Sequence, residues 1–426
     1  MVRKMLEATA IAAVGVMFAC AEVFASTLCV NPAGSGRCLK TIGQAVSSAS
    51  PGDTINVAAG TYAEQVTITE SLSLVGVNAK KVIIDASNLP NGVTIGAFPG
   101  EPTTGVTVSG FTVENAQFEG ILAQNASEIT IANNIVTGNN LALSNGACPD
   151  LPSQETNESF DCGEGIHLMG VYHSNVIGNV SNNNAGGILL SDDAVGPTHD
   201  NLLMNNRVFD NASDCGITLA SHVTCATPPC TVDPFGVHHN TISNNVSNHN
   251  GTGPHGDGAG VGIFASAPGT AAYGNVVTGN ILTDNNLPGV AMHSHAPFQN
   301  LDGNVIINNT IAGNGADTAD TKTTGTTGIN LFSSGGTAVN GTIIAGNTIK
   351  REKVAVFVHD EADTSVEVHS NNLQTGPHST GIANDGDGNV NGSVNWWGCA
   401  KGPGQRGCAD VSGTVTTDPA LRQPVK

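Results

Sequence analysis

Asn133-Asn134-Ile135-Val136-Thr137-Gly138-Asn139-Asn140 is the phrase that decides the architecture, because the chain repeats it with variation. It returns as Gly178-Asn179-Val180-Ser181-Asn182-Asn183-Asn184, as Asn205-Asn206-Arg207-Val208-Phe209-Asp210-Asn211 and as Asn244-Asn245-Val246-Ser247-Asn248-His249-Asn250. Further copies begin at Gly279 and Asn308. After most copies comes a glycine and an alternating run: Gly120-Ile121-Leu122-Ala123, Gly165-Ile166-His167-Leu168, Gly187-Ile188-Leu189-Leu190, Gly216-Ile217-Thr218-Leu219, Gly262-Ile263-Phe264-Ala265, Gly289-Val290-Ala291-Met292 and Gly328-Ile329-Asn330-Leu331. A period of about 20–45 residues built from short β-type segments is the mark of a solenoid. Alternation of period two puts the first and third residues after the glycine on one side. Those positions are almost all aliphatic, so they point inward. Asn suits left-handed corners, and its side chains can bond from coil to coil. Successive coils then pair in parallel at about 4.8 Å. A leucine-rich repeat would need its Leu-x-x-Leu-x-Leu phrase, which is absent.

The composition of the 426 residues fits this reading. Charged residues are 12% and aromatics 4%, while 53 are Gly and 39% are hydrophobic. A thin core continuous along the coil has room for aliphatic side chains and little for large rings. Lys and Arg total 15 against 35 Asp and Glu, a net charge of -20. That balance argues against nucleic acid, whose phosphates need a basic face, and against an anionic membrane surface. No stretch beyond the N-terminus has the apolar length of a membrane span.

Residues 1–25 read as a secretory signal: Arg3 and Lys4 are basic, Ala8–Cys20 is apolar, and Val23-Phe24-Ala25 offers a cleavage site. Met17-Phe18-Ala19-Cys20 is a rival lipoprotein site that Phe18 fits poorly. The expected location is secreted, periplasmic or cell surface. Nine cysteines remain after the signal, in keeping with an oxidising compartment. Cys29–Cys38, Cys148–Cys162 and Cys399–Cys408 are the sequence-local pairs, with Cys215 bonding Cys225 or Cys230 and one thiol left over. No Cys-x2-Cys spacing supports a zinc-thiolate site.

Both ends carry caps, which an open coil needs. Thr41–Ser50 has one apolar helical face, and Trp396-Trp397 stops the repeat. The stretches Ile42-Gly43-Gln44-Ala45-Val46, Pro51-Gly52-Asp53-Thr54-Ile55-Asn56-Val57 and Gly60-Thr61-Tyr62 resemble the opening of right-handed parallel β-helix proteins of the pectin-lyase-like superfamily. Asn395-Trp396-Trp397-Gly398 with Gly402-Pro403 is similar to the ending of many secreted bacterial members. The resemblance implies an all-β fold, a single-stranded right-handed parallel β-helix with a short N-terminal capping helix and about nine to eleven coils. The expected divisions are residues 26–82 for the cap and first coils, 83–398 for the coils and 399–426 for a C-terminal tail. The superfamily holds lyases, hydrolases, esterases, epimerases, copper-maturation proteins and adhesins, so fold alone does not give activity.

The resemblance also implies a site on the outer face of one sheet, across several coils. Four and six residues after the glycine stand His293 and His295, then Phe332 and Ser334, then His359 and Glu361, then Asp385 and Asp387. Stacking sets His359 over Asp385 and Glu361 over Asp387, giving a carboxylate group for general acid/base work with Asp385, Asp387, His359 and Glu361 as catalytic candidates. His293, His295 and Phe332, with Asp193 and His222 in the same columns on earlier coils, are the substrate-binding candidates. Such a groove suits a sugar chain; the carboxylates also suit Ca²⁺, and the His-x-His suits copper or zinc. The bland alternative is that these are polar turn residues on a solvated face. Asp192 joins the earlier cluster, and Gly253-Pro254-His255-Gly256-Asp257-Gly258 reads as a turn between coils. Insertions at 144–164, 222–236, 251–260 and 315–327 stand where they would wall a groove.

Known catalytic signatures are missing. Neither the Asn-Thr-Asp, Gly-His-Gly and Arg-Ile-Lys set of polygalacturonases nor an epimerase-like Asp-Pro-His occurs, since Asp233-Pro234 is followed by Phe235. Within the repeats the basic residues are Arg207, Lys322, Lys350, Arg351 and Lys353, few for neutralising a uronate. The expectation is an exported monomer that binds or acts on polysaccharide, as a lyase or glycoside hydrolase if an enzyme. The alternative is a non-catalytic adhesin-like or periplasmic copper-maturation module.

Overall fold

The computed structural model describes residues 25–143, 148–149, 163–193, 195–223, 236–254, 256–320, 323–361, 366–376 and 378–426. Residues 1–24 of the signal segment, Cys162, Cys225, Cys230, Lys322 and His255 lie outside the described residues.

Three parallel sheets wind around one core, with 14, 11 and 15 strands. Each coil places one strand in the first sheet, one in the second and one in the third. Eleven coils contribute to all three. The third sheet carries the alternating runs after the glycines. Ile121, Ile166, Ile188, Ile217, Val261, Val290, Ile329, Val356 and Ile382 stand in register along it, all fully buried. The inward face is therefore the one that alternation assigns. One glycine is offset: Ile217 pairs with Val261, so Gly260, not Gly262, matches Gly216. The shift is two residues and leaves the inward and outward sets unchanged.

The corners explain the doubled asparagines. In the pairs at 133–134, 205–206, 244–245 and 308–309 the first Asn takes a left-handed conformation, at φ of 56 to 58°. The second turns inward. Asn134, Asn179, Asn206, Asn245, Asn280, Asn309, Asn347, Asn371 and Asn395 form one buried amide ladder, each Nδ2 donating to the next Oδ1 at 3.0–3.1 Å. A second ladder runs from Asn139 through Asn184, Asn211, Asn250, Asn285 and Asn314 to Glu352. A third joins Asn201, Asn240, Asn275 and Asn304.

The N-terminal end is closed by a helix over Ile42–Ser48, whose Thr41 hydroxyl accepts from Gln44 N–H. It is shorter than the expected Thr41–Ser50 because Ala49 is already extended, and the residue before Pro51 is steered away from helix. The Cys29–Cys38 and Cys399–Cys408 bonds are formed, and Cys148 is disulfide-bonded. Cys215 departs from expectation. It is a free, fully buried thiol packed among Ala259, Leu287, Ala291 and Phe264, and burial pushes its pKa well up. Its sulfur accepts from the Ala259 N–H at 3.2 Å and is not bonded to a second sulfur. Among the described residues no helix is long and apolar enough to cross a membrane.

Candidate functional site

The outer face of the third sheet carries a row of imidazoles, rings and carboxylates. Register sets His293 beside Phe332 and Phe332 beside His359, and the Asp385 N–H donates to Val358 one strand on. His359 Nδ1 lies 3.7 Å from Asp385 Oδ2, and its Nε2 lies 3.9 Å from Glu361 Oε1. Phe332 stacks on His359 with centroids 5.5 Å apart. Asp385 and Glu361 are largely open to water. Asp387 is exposed, and among the described residues its side chain has no partner. This end of the row is therefore loosely held.

Two tighter centres lie on earlier coils. Around His293, Nε2 stands 3.3 Å from Asp317 Oδ2, while Nδ1 stands 3.3 Å from Asp320 Oδ2. His295 Nε2 reaches the same Asp320 oxygen at 3.1 Å. Asn330 donates to Asp317 at 2.9 Å. Phe264 and Phe332 flank His293 edge-on at 5.4 and 5.7 Å, keeping its ring upright. Hydrogen bonds from His293 and His295 hold the Asp320 carboxyl far below the usual range. Asp257, on the exposed rim, is raised by partial desolvation and by the charges of Asp317, Asp320 and Asp214. Neighbouring carboxyls are thus pushed in opposite directions, which separates acid from base. His293, His295 and Asp320 also offer ligand atoms within 4.8 Å of one another, so this group would fit a metal ion, although each imidazole already faces a carboxylate.

The other centre is sealed. Asp193 Oδ1 lies 3.0 Å from His222 Nδ1, and its Oδ2 accepts from Ser191 at 2.6 Å. Burial acts to raise Asp193, but the hydrogen bond and charge of His222 and the bond from Ser191 outweigh it, and the carboxyl ends well below its ordinary value. Asp192 turns the other way, accepting from Ser221 Oγ and the backbone of His222 and Val223, and burial raises it. Glu119, Glu164 and His167 adjoin this network and are 1–3% exposed.

Residues 99–300 match the family described as right handed beta helix region. The fold is a right-handed parallel β-helix. The Dettilon tailspike protein superposes with a TM-score of 0.57 at 14% identity, over 86% of this chain and 62% of the tailspike chain. This β-helix thus spans less than two thirds of that relative's length. DFA-IIIase from Arthrobacter chlorophenolicus A6 in complex with GF2 gives 0.53 at 12% identity, over 87% and 89% of the two chains. The catalytic domain of a GH87 alpha-1,3-glucanase in complex with tetrasaccharides gives 0.53 at 13%, over 88% and 66%. At such identities the likeness is one of fold. No curated protein matches the chain.

Sequence reasoning missed Glu119, Glu164, His167, Asp257, Asp317 and Asp320. Glu119 and Glu164 stand just before Gly120 and Gly165, so counting back from the repeat glycine as well as forward would have found them. Asp257, Asp317 and Asp320 come from irregular insertions, and no period predicts where such loops fold. The β-helix also stacks Tyr172, His199, His238 and Tyr273 at one corner, with centroids 4.8–5.2 Å apart. His173 and His239 edge that stack because they occupy left-handed corner positions.

Proposed function

We propose that this β-helix protein is exported, binds a polysaccharide along the outer face of its third sheet and hydrolyses it at the carboxylates around His293. The observation that carries this reading is the seating of Asp317 and Asp320 on the buried His293, with the exposed Asp257 near enough to feel their charges. Asp257, which holds its proton more tightly than an ordinary carboxyl, donates to the leaving glycosidic oxygen; Asp320, held ionised by His293 and His295, serves as the opposing carboxylate. Asp317 and Asn330 position His293. Phe264 and Phe332 supply apolar ring surface beside the cleavage point. His359, Glu361, Asp385 and Asp387 extend the trough as further sugar contacts. Among the described residues no Lys or Arg pairs with these carboxylates, and the net charge is -20, so neutral glycans are favoured over uronates.

The test is incubation of the full chain with neutral and acidic polysaccharides, scoring reducing and unsaturated ends. New reducing ends from a neutral glycan are expected, with Asp257→Asn and Asp320→Asn each lowering the rate at least about 100-fold. Rate should fall as pH rises and Asp257 loses its proton, because the acid must hold that proton. Full activity in Asp257→Asn, unsaturated ends, or no product from any glycan would overturn the hydrolase reading.

A further inference from the structure

Glu119 and Glu164 precede the glycines of adjacent coils, and the Gly120 N–H donates to the Glu164 carbonyl at 3.0 Å. Their side chains therefore stack on the outer face. His167 joins them from two residues beyond Gly165. One ligand atom from each of the three lies within 4.8 Å of the others, and all three are buried.

The hydrogen bonds around His167 fix its tautomer. Ser191 has one hydroxyl proton and donates it to Asp193 at 2.6 Å. Towards His167 Nε2, 2.8 Å away, Ser191 can only accept, so Nε2 carries the proton. A neutral ring then presents a lone pair at Nδ1. That atom faces Glu119 Oε1 at 3.7 Å. Among the described residues neither Nδ1 nor Glu119 Oε2 has a hydrogen-bond partner. A protonated Nδ1 would not cure this, because 3.7 Å is too long for an N–H···O bond. Acceptors buried face to face need a cation between them.

We infer that Glu119, Glu164 and His167 bind a divalent transition cation of the Zn²⁺ class, through one oxygen of each carboxylate and His167 Nδ1. An imidazole ligand disfavours Ca²⁺ and Mg²⁺, which prefer oxygen alone. Three protein donors leave the fourth position of a tetrahedral ion to water or a ligand hydroxyl. Ser191 and Asp193 act as the outer support that orients the metal-binding ring. The site is four strands from His293, about 19 Å along the sheet, and does not rest on the sugar-cleaving reading.

Full-length protein stripped with chelator and titrated with ZnCl₂ should bind one tight equivalent lost in Glu119→Gln. The Gln amide can donate to His167 Nδ1, so this variant keeps its far-UV spectrum and its melting temperature without metal. Ser191→Ala should weaken Zn²⁺ about 10–100-fold by freeing the ring. Co²⁺ should give visible d–d bands in the wild type and not in Glu119→Gln. Equal Zn²⁺ binding by wild type and Glu119→Gln would overturn the assignment, as would an equivalent lost instead with His295→Ala, or CaCl₂ displacing the ion at equal concentration.

Discussion

Glu352 ends the second amide ladder, and its chemistry there differs from that of the asparagines it follows. Its Oε1 accepts from the Asn314 backbone and side chain at 2.9 and 3.2 Å. Burial raises its pKa from 4.5 to about 7, against the lowering effect of those bonds. The folded state thus holds the proton more tightly than the unfolded state. The resulting stabilisation is full below about pH 4.5 and is lost as pH rises through 7. A shift of that size corresponds to at most about 3 kcal/mol. Glu352→Gln keeps the accepting oxygen and removes the titration. It should therefore melt a few degrees above wild type at pH 8 and together with it near pH 4.5. Parallel melting curves at the two pH values would show that Glu352 is ionised when folded.

At the level of the ladder, position within the Asn-Asn pair decides the cost of substitution. Asn245 donates to Leu203 O and Asn280 Oδ1 and accepts from Asn206 N and Nδ2, all buried. Asn245→Ala strands those partners at about 1–3 kcal/mol each for the worst placed, so a total above about 3 kcal/mol is expected. Asn244 sits in the left-handed region at φ 56° and is exposed. Asn244→Gly should be close to neutral, since glycine tolerates that conformation. Thermal melts of the two variants separate these roles; equal losses would mean that the ladder contributes no more than the turn. The inward strand residues, the parallel stacking and the corner asparagines were legible because each obeys a period. The split between turn and ladder asparagines was not, since both residue types are the same in sequence. The site was legible only where it kept the period. His293, Phe332 and His359 fell in one column as counted from the glycines, whereas Asp257, Asp317 and Asp320 entered from loops whose path depends on tertiary contact.

For the whole molecule the problem is the open end of a stacked core, and the C-terminal segment is built to solve it. Trp397 is fully buried and lies so close to Gly381 that a Cβ there would meet its ring at 2.7 Å. Ala409 N–H donates to the Trp397 carbonyl at 2.9 Å, tying the tail across the core. Asp410–Ser412 then ends the third sheet and Val415–Thr416 the first. The second sheet ends at Asn372–Gln374, where Asn372 bonds both polar backbone atoms of Val425 at 2.8 and 3.1 Å. Each of the three edges is thus met by tail residues rather than left as a template for another strand. Removing residues 400–426 would uncover Trp397, Ile382 and Val390 together with the edges of the first and third sheets, while Trp396 stays bridged to Asn372 on the second. The truncated chain should self-associate, eluting earlier with rising concentration in size-exclusion chromatography, and should melt below the full chain. A truncated form that elutes unchanged across a hundredfold concentration range, with unaltered melting, would mean that Trp396 and Trp397 alone close the coil.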